Sequence, residues 1–246
     1  FVFSFPGNLK VNQGVAYGYL ALMYEKTNIV DEKVTVEDKL EAASNYKLVA
    51  AASIKYLDEA IALSSGSFTI PAAWLGTSSA YSSADFKSLC NTMAARILSY
   101  MPRNQTELNA VDWTKVKAYA DAGITKDFTI LMDGTSKWYF EGADYLTAEG
   151  WGRTDMYVAN MMDPATQPNH WDDTASFRDS KESTNPVDKR LRTDFRYMPS
   201  NDFQAARGYY HFSSYRFSSY DEQFVNGIVP KPDVMMAEND MLRGES

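Results

Sequence analysis

Six aromatic side chains are placed where they can do chemistry at a surface: Trp74, Trp138, Tyr139, Tyr145, Trp151 and Trp171. Each lies in loop-like surroundings, near Gly, Ser, Asp or Asn. Tyr and Trp combine a large apolar face with one polar atom. A sugar offers apolar C–H faces and hydroxyls that need Asp, Asn, Gln, Arg or Ser partners. The segment "TSKWYFEGADYLTAEGWGR", residues 135–153, supplies both kinds of group. The chemistry predicted for this set is stacking and hydrogen bonding to a carbohydrate. The competing use of the same rings is to staple a long loop to its neighbours, as aromatics do where aliphatics are scarce.

Covalent chemistry has little to work with. The chain has no GxSxG elbow, phosphate-binding loop, GxGxxG turn, HExxH helix or EF-hand spacing. Its two histidines, His170 and His211, are 41 residues apart and too few for most zinc sites. A single cysteine, Cys90, rules out an intrachain disulfide and any CxxC motif, and its helical pattern predicts a small buried hydrophobe. A glycoside hydrolase would need two carboxyls facing each other across a cleft. Nothing singles out two of the 32 present. The expectation is therefore no catalytic residue, no metal and no cofactor.

The net charge of -8 argues against nucleic acid and against docking on anionic lipid. Residues 176–217 are the exception, with eight basic side chains against five acidic ones. Internal pairing is the simplest reading of such a window. No run of 18 apolar residues is present to span a bilayer.

The elements that must position these groups fall into three stretches of one domain, 1–125, 126–229 and 230–246. The first is helical by pattern. Helices are predicted over 11–27, 35–63, 83–101 and 112–122. In the second, Leu40, Ala43, Tyr46, Ala50, Ile54, Leu57 and Ile61 form one stripe, with Thr35 as N-cap and "SSG" at 64–66 as the stop. In the third, Phe86, Leu89, Met93, Ile97 and Tyr100 share a face. Asp112 caps the fourth and Gly123 ends it. Two helix pairs of this size predict a mainly α fold, a tetratricopeptide-like superhelix with a long irregular region and a few short strands.

From 126 to 229 the helical period is lost, and length without regular structure often marks function. Strands are expected near 128–132, 195–198 and 209–217. In "YHFSSYRFSSY", residues 210–220, alternation puts aromatics on both faces. That predicts a strand covered on both sides, a structural seam rather than an open platform. Pro230 and Pro232 then lead into a helix with Asp233 as its N-cap.

Several blocks together resemble the SusD/RagB family. They are "GVAYGYLALMYEKTNIVDEKVTVEDKLEAASNYKLVAAASIKYLDEAIAL", "DFKSLCNTMAARILSYMPRNQTELNAVDWTKVKAYADAGI", "GWGRTDMYVANMMDP", "DKRLRTDFRY", "RGYYHFSSYRF" and "MMAENDMLRGES", in the family's order. The resemblance implies a helical scaffold with a loop-rich ligand side. It implies a non-enzymatic, lipid-anchored protein on the extracellular face of a Gram-negative outer membrane, contacting the membrane only through an anchor outside this chain. Its partners would be an oligo- or polysaccharide and a SusC-like TonB-dependent transporter. The alternatives are a peptide ligand, or a docking module of the transporter complex with no ligand of its own. The chain is about half the usual family length and lacks the anchoring N-terminal Cys, so it reads as a fragment in which further helices are expected after residue 246. The family's ligand residues have no portable motif, and none is carried over.

Overall fold

The computed structural model describes residues 6–35, 38, 42–133, 138–139, 152–169, 180–199, 212–219, 221 and 229–246. About half of the described residues are helical, in nine helices, with a few short strands among them. Two compact units emerge, Phe1–Ile130 together with Pro232–Ser246, and Leu131–Lys231.

In the first unit α1 (Pro6–Met23) packs on α2 (Tyr46–Leu63), α2 on α4 (Ser83–Tyr100), and α4 on α6 (Trp113–Asp121). Two single turns, α3 (Ala72–Leu75) and α5 (Gln105–Leu108), sit in the connections. Packing around α1 requires glycine: a Cβ on Gly18 would stand 2.4 Å from Ile97 Cδ1. Ser53 fills the remaining space and donates its hydroxyl to the Gly14 carbonyl at 2.6 Å. The core includes Val49, Leu57, Phe86, Ile97 and Val116, all buried. Cys90 belongs to it, and burial pushes its thiol up to about 12.

The predicted start of α2 needs correction. The stripe from Leu40 and Ala43 and the Thr35 cap imply a helix from 35, yet the helix begins at Tyr46. Ser44 and Asn45 form β2, antiparallel to Lys26–Thr27 (β1), and this extended backbone cannot continue a helix. The Asn45 side chain instead accepts from the Leu48 N–H at 3.1 Å, capping the helix one residue later. The other end is as predicted, since both the N–H and the hydroxyl of Ser64 donate to the Ala60 carbonyl. α1 likewise runs earlier than the predicted 11–27.

On α4 the stripe holds for Phe86, Leu89, Met93 and Ile97, but Tyr100 is 52% exposed. Its position at the helix end turns the ring outward, with its hydroxyl 3.4 Å from Glu238 Oε1. Asp112 caps α6 as predicted, accepting from the Lys115 N–H at 3.0 Å. Gly123 has another role than stopping it. Ala122 is the C-cap, and Gly123 is small because Asn239 Oδ1 would lie 2.2 Å from a Cβ there.

The second unit contains β6 (Trp138–Tyr139), α7 (Met156–Met162), α8 (Arg190–Thr193), β7 (Phe195–Tyr197) and β8 (Tyr215–Phe217). The chain enters it along β5 (Phe128–Asp133) and leaves along β9 (Val229–Val234). β5 and β6 are parallel, with Met132 opposite Trp138. β7 and β8 are antiparallel, with Arg196 opposite Arg216. Among the described residues its buried apolar cluster is Met156, Ala159, Leu191 and Tyr215.

The predicted entry to the final helix also needs correction. Asp233 lies in β9, and the helix is Met236–Glu245. Its first N–H, on Met236, donates to Asp127 Oδ1 at 2.7 Å. A side chain 109 residues away thus replaces a local cap. Met235 and Met241 are exposed and Leu242 is buried.

Candidate functional site

Trp74 is presented by a rigid excursion. β3 (Thr69–Ile70) and β4 (Tyr81–Ser82) pair with Thr69 opposite Ser82 and Ile70 opposite Tyr81. The base of this hairpin is anchored by edge-to-face ring pairs, Phe68 with Phe86 at 6.3 Å and Tyr81 with Phe128 at 5.4 Å. Between the strands, Pro71 opens α3 and Gly76 closes it at φ 70°, a left-handed conformation suited to glycine. The Trp74 and Thr77 N–H groups donate to the carbonyls of Pro71 and Ala72 at 2.9 and 3.1 Å. Trp74 is left 51% exposed, four and five residues before the exposed Ser78 and Ser79. An exposed indole face suits stacking on a flat or ring-shaped ligand.

Of the other predicted site residues, Trp138 and Tyr139 are adjacent in β6. Tyr145, Trp151 and Trp171 lie outside the described residues, as do His170 and His211. Among the described residues no group of three or more His, Cys, Asp or Glu could hold a metal ion. No helix among them is long and apolar enough to cross a membrane.

A second surface was not singled out by residue type. Along α2, Lys47, Ala50, Ala51, Ile54, Lys55, Asp58, Glu59 and Ala62 line a groove of about 670 Å³, completed by Leu98, Met101 and Lys115. These α2 positions repeat at three- and four-residue steps, the signature of one helix face. The floor is apolar and the rim charged. Lys47 pairs with Glu107 at 2.9 Å, and Lys10 with Glu59 at 3.3 Å. The Tyr46 hydroxyl also donates to Glu107 at 2.5 Å. That hydrogen bond, then those from Lys47 and the Arg103 N–H, hold the Glu107 carboxyl down at about 2. The Tyr119 hydroxyl donates to Asp58 Oδ1 at 2.5 Å. Burial and then this carboxylate push the Tyr119 phenol well above its usual range. Ala50 and Ile54 belong to the predicted buried stripe, and the flanking Lys, Asp, Glu and Ala did not set this face apart in the sequence.

Several polar residues of the family-like blocks are engaged internally. Arg96 clamps Glu238 with Nε at 2.6 Å and Nη2 at 2.5 Å, while its Nη1 donates to the Tyr19 hydroxyl at 3.0 Å. Thr92 Oγ1 donates to Asn239 Oδ1 at 2.8 Å and accepts from the Ile124 N–H at 2.9 Å. Asn239 Nδ2 donates to the Ala120 carbonyl at 2.8 Å.

In the second unit the Tyr215 hydroxyl accepts from the Ser183 N–H at 2.6 Å, and Arg216 makes a bidentate pair with Asp221 at 2.6 and 2.7 Å. Residues 213–216 are buried, but the strand expected over 209–217 is Tyr215–Phe217, with 209–211 outside the described residues.

No family model matches this chain, and neither does any curated protein or solved structure.

Proposed function

We propose that this chain is a non-enzymatic, SusD-like binding protein that takes oligo- or polysaccharide by stacking and hydrogen bonding. One observation carries the reading. Arg96, Glu238, Asn239, Tyr215 and Arg216 of the family-like blocks are consumed by the scaffold, whereas Trp74 remains a half-exposed indole on a turn closed by Gly76. On this reading the first unit is a tetratricopeptide-like stack, in keeping with successive helices packing on their neighbours. The ligand would pass to a SusC-like TonB-dependent transporter at the outer membrane, with a lipid anchor outside this chain. A peptide ligand would use the same aromatic chemistry.

The test is isothermal titration of the chain against a panel of polysaccharides and mixed peptides. At least one glycan should bind, and Trp74→Ala should weaken it about tenfold, the scale of a lost stacking contact. The ring is exposed, so the melting temperature should hold. Silence from every glycan and peptide with folded protein sinks the proposal. Glycan affinity indifferent to Trp74→Ala moves the site away from this turn.

A further inference from the structure

The saccharide at the Trp74 turn can be narrowed by charge, an inference that rests on the stacking reading above. We infer that this turn binds uncharged saccharides and discriminates against uronic-acid and sulfated ones. Residues 60–84 carry no Asp, Glu, Lys, Arg or His, the longest such run in the chain. The run covers the whole excursion from β3 through α3 to β4. The charges that bound it stand on helices, Glu59 in α2 and Asp85 in α4. Asp85 is already matched. It accepts from the Ser82 hydroxyl at 2.8 Å, and Lys126 Nζ lies 3.3 Å away.

What the turn offers a ligand is neutral throughout. Among the described residues no cation lies over the Trp74 ring and no second ring packs on it. Its indole N–H and the hydroxyls of Ser78 and Ser79 take no hydrogen-bond partner among them either. Such groups suit the C–H faces and hydroxyls of a sugar. A carboxylate or sulfate ester needs more. Losing water costs an anion far more than a hydroxyl, unless a cation or several N–H donors replace that water. The turn carries no Lys or Arg, and the Trp74 and Thr77 N–H groups already donate to the carbonyls of Pro71 and Ala72. The net charge of -8 adds repulsion at long range. An amino sugar in its ammonium form gains little, because the turn has no carboxylate and an exposed ring alone holds a cation weakly.

The test titrates the whole chain with soluble polysaccharides in two arms. The neutral arm holds amylopectin, xyloglucan, arabinoxylan and galactomannan. The acidic arm holds polygalacturonate, alginate and a sulfated galactan. At least one neutral glycan should bind, and every acidic one at least about tenfold more weakly. Added salt should leave the neutral affinity within about twofold, because no charge contact forms. Trp74→Ala should weaken the neutral glycan about tenfold. The double variant Ser78→Lys/Ser79→Lys, at exposed positions, should raise acidic affinity at least about fivefold at low salt, and added salt should erase the gain. An acidic glycan that binds as tightly as the best neutral one, and weakens in Trp74→Ala, overturns the inference and leaves the stacking reading standing. Acidic affinity unmoved by the added lysines overturns the inference in the same way. Neutral binding indifferent to Trp74→Ala removes the ligand from this turn and the inference with it. Silence from both arms ends the stacking reading itself, and this inference falls with it.

Discussion

The two units are held together differently. Around α2 and α4 the stabilising surface is apolar: Val49, Leu57, Ala60, Cys90, Ala94, Ala95, Ile97 and Val116 have no exposed surface. In the second unit the described apolar cluster has four members. Beside it, the described residues bury a polar set: Asp163, Gln167, Ser180, Ser183, Ser213, Ser214 and Arg216. Asp163 accepts from the Ser183 hydroxyl at 2.5 Å and from the Thr166 hydroxyl. Ser180 Oγ accepts from the Ser214 N–H at 2.5 Å, and Ser213 Oγ donates to the Thr154 carbonyl at 2.7 Å. Burying apolar area stabilises without regard to direction. A buried polar network stabilises only while every member keeps its partner, and it fails steeply when one is lost. The first unit should thus be most sensitive to changes of core volume, and the second to lost hydrogen bonds.

The largest test of that contrast is Leu57→Ala. Leu57 is fully buried and its side chain lies under Gly14. The loss should be about 2–5 kcal/mol, read by urea denaturation with hydrogen exchange localising it to residues 1–130. Arg216→Ala comes next. Arg216 is 2% exposed and its loss removes two charged hydrogen bonds to Asp221, whose side chain is 40% exposed and is then hydrated, at a cost of about 1–3 kcal/mol. Amide protection should fall around β7 and β8 and persist on α2 and α4. If both variants unfold the whole chain with identical exchange patterns, the two units do not differ in the way described.

The smallest effect is a pH dependence. Burial alone would raise the Asp163 carboxyl, but the Ser183 and Thr166 hydroxyls and two backbone N–H groups outweigh it and hold it below its usual range. A lowered carboxyl contributes stability above its unfolded value, and that contribution is lost as pH falls from there through the folded value. Amide protection near Asp163 should therefore decline from neutral to acid pH. Ser183→Ala should flatten that decline and cost about 1–2 kcal/mol at neutral pH. A wild-type profile indifferent to acid would mean that Asp163 does not hold this network.

Legibility in the sequence followed the range of the interaction. The stripes Ile54–Leu57 and Phe86–Ile97, the Asp112 cap and the Ser64 stop depend on neighbours a few residues away, and all were readable. The start of α2 was not, because pairing of Ser44–Asn45 with Lys26–Thr27 outweighs the helical period of "DKLEAAS". Asp233 had the residue type of a cap, but its backbone is taken by β9. Of the candidate site, the aromatic at position 74 was legible as a residue in a loop. Its exposure was not, since Phe68 and Tyr81 in the same segment turn inward to form ring pairs. The α2 groove gave no signal of residue type, because Ala, Lys and Glu are what any solvated helix face carries.

By itself, then, the sequence determined the helical class, the buried faces of α2 and α4, the Asp112 cap and the Ser64 stop, because these follow from side-chain periodicity and from bonds within one turn. Only the tertiary structure decided what fastens the 236–245 helix. The contacts Asp127–Met236, Arg96–Glu238 and Thr92–Asn239 join residues 109, 142 and 147 positions apart. It also decided which groups meet along the α2 rim, since Glu107 and Tyr119 reach it from separate elements. Such pairings depend on how helices stack, and no local pattern encodes them.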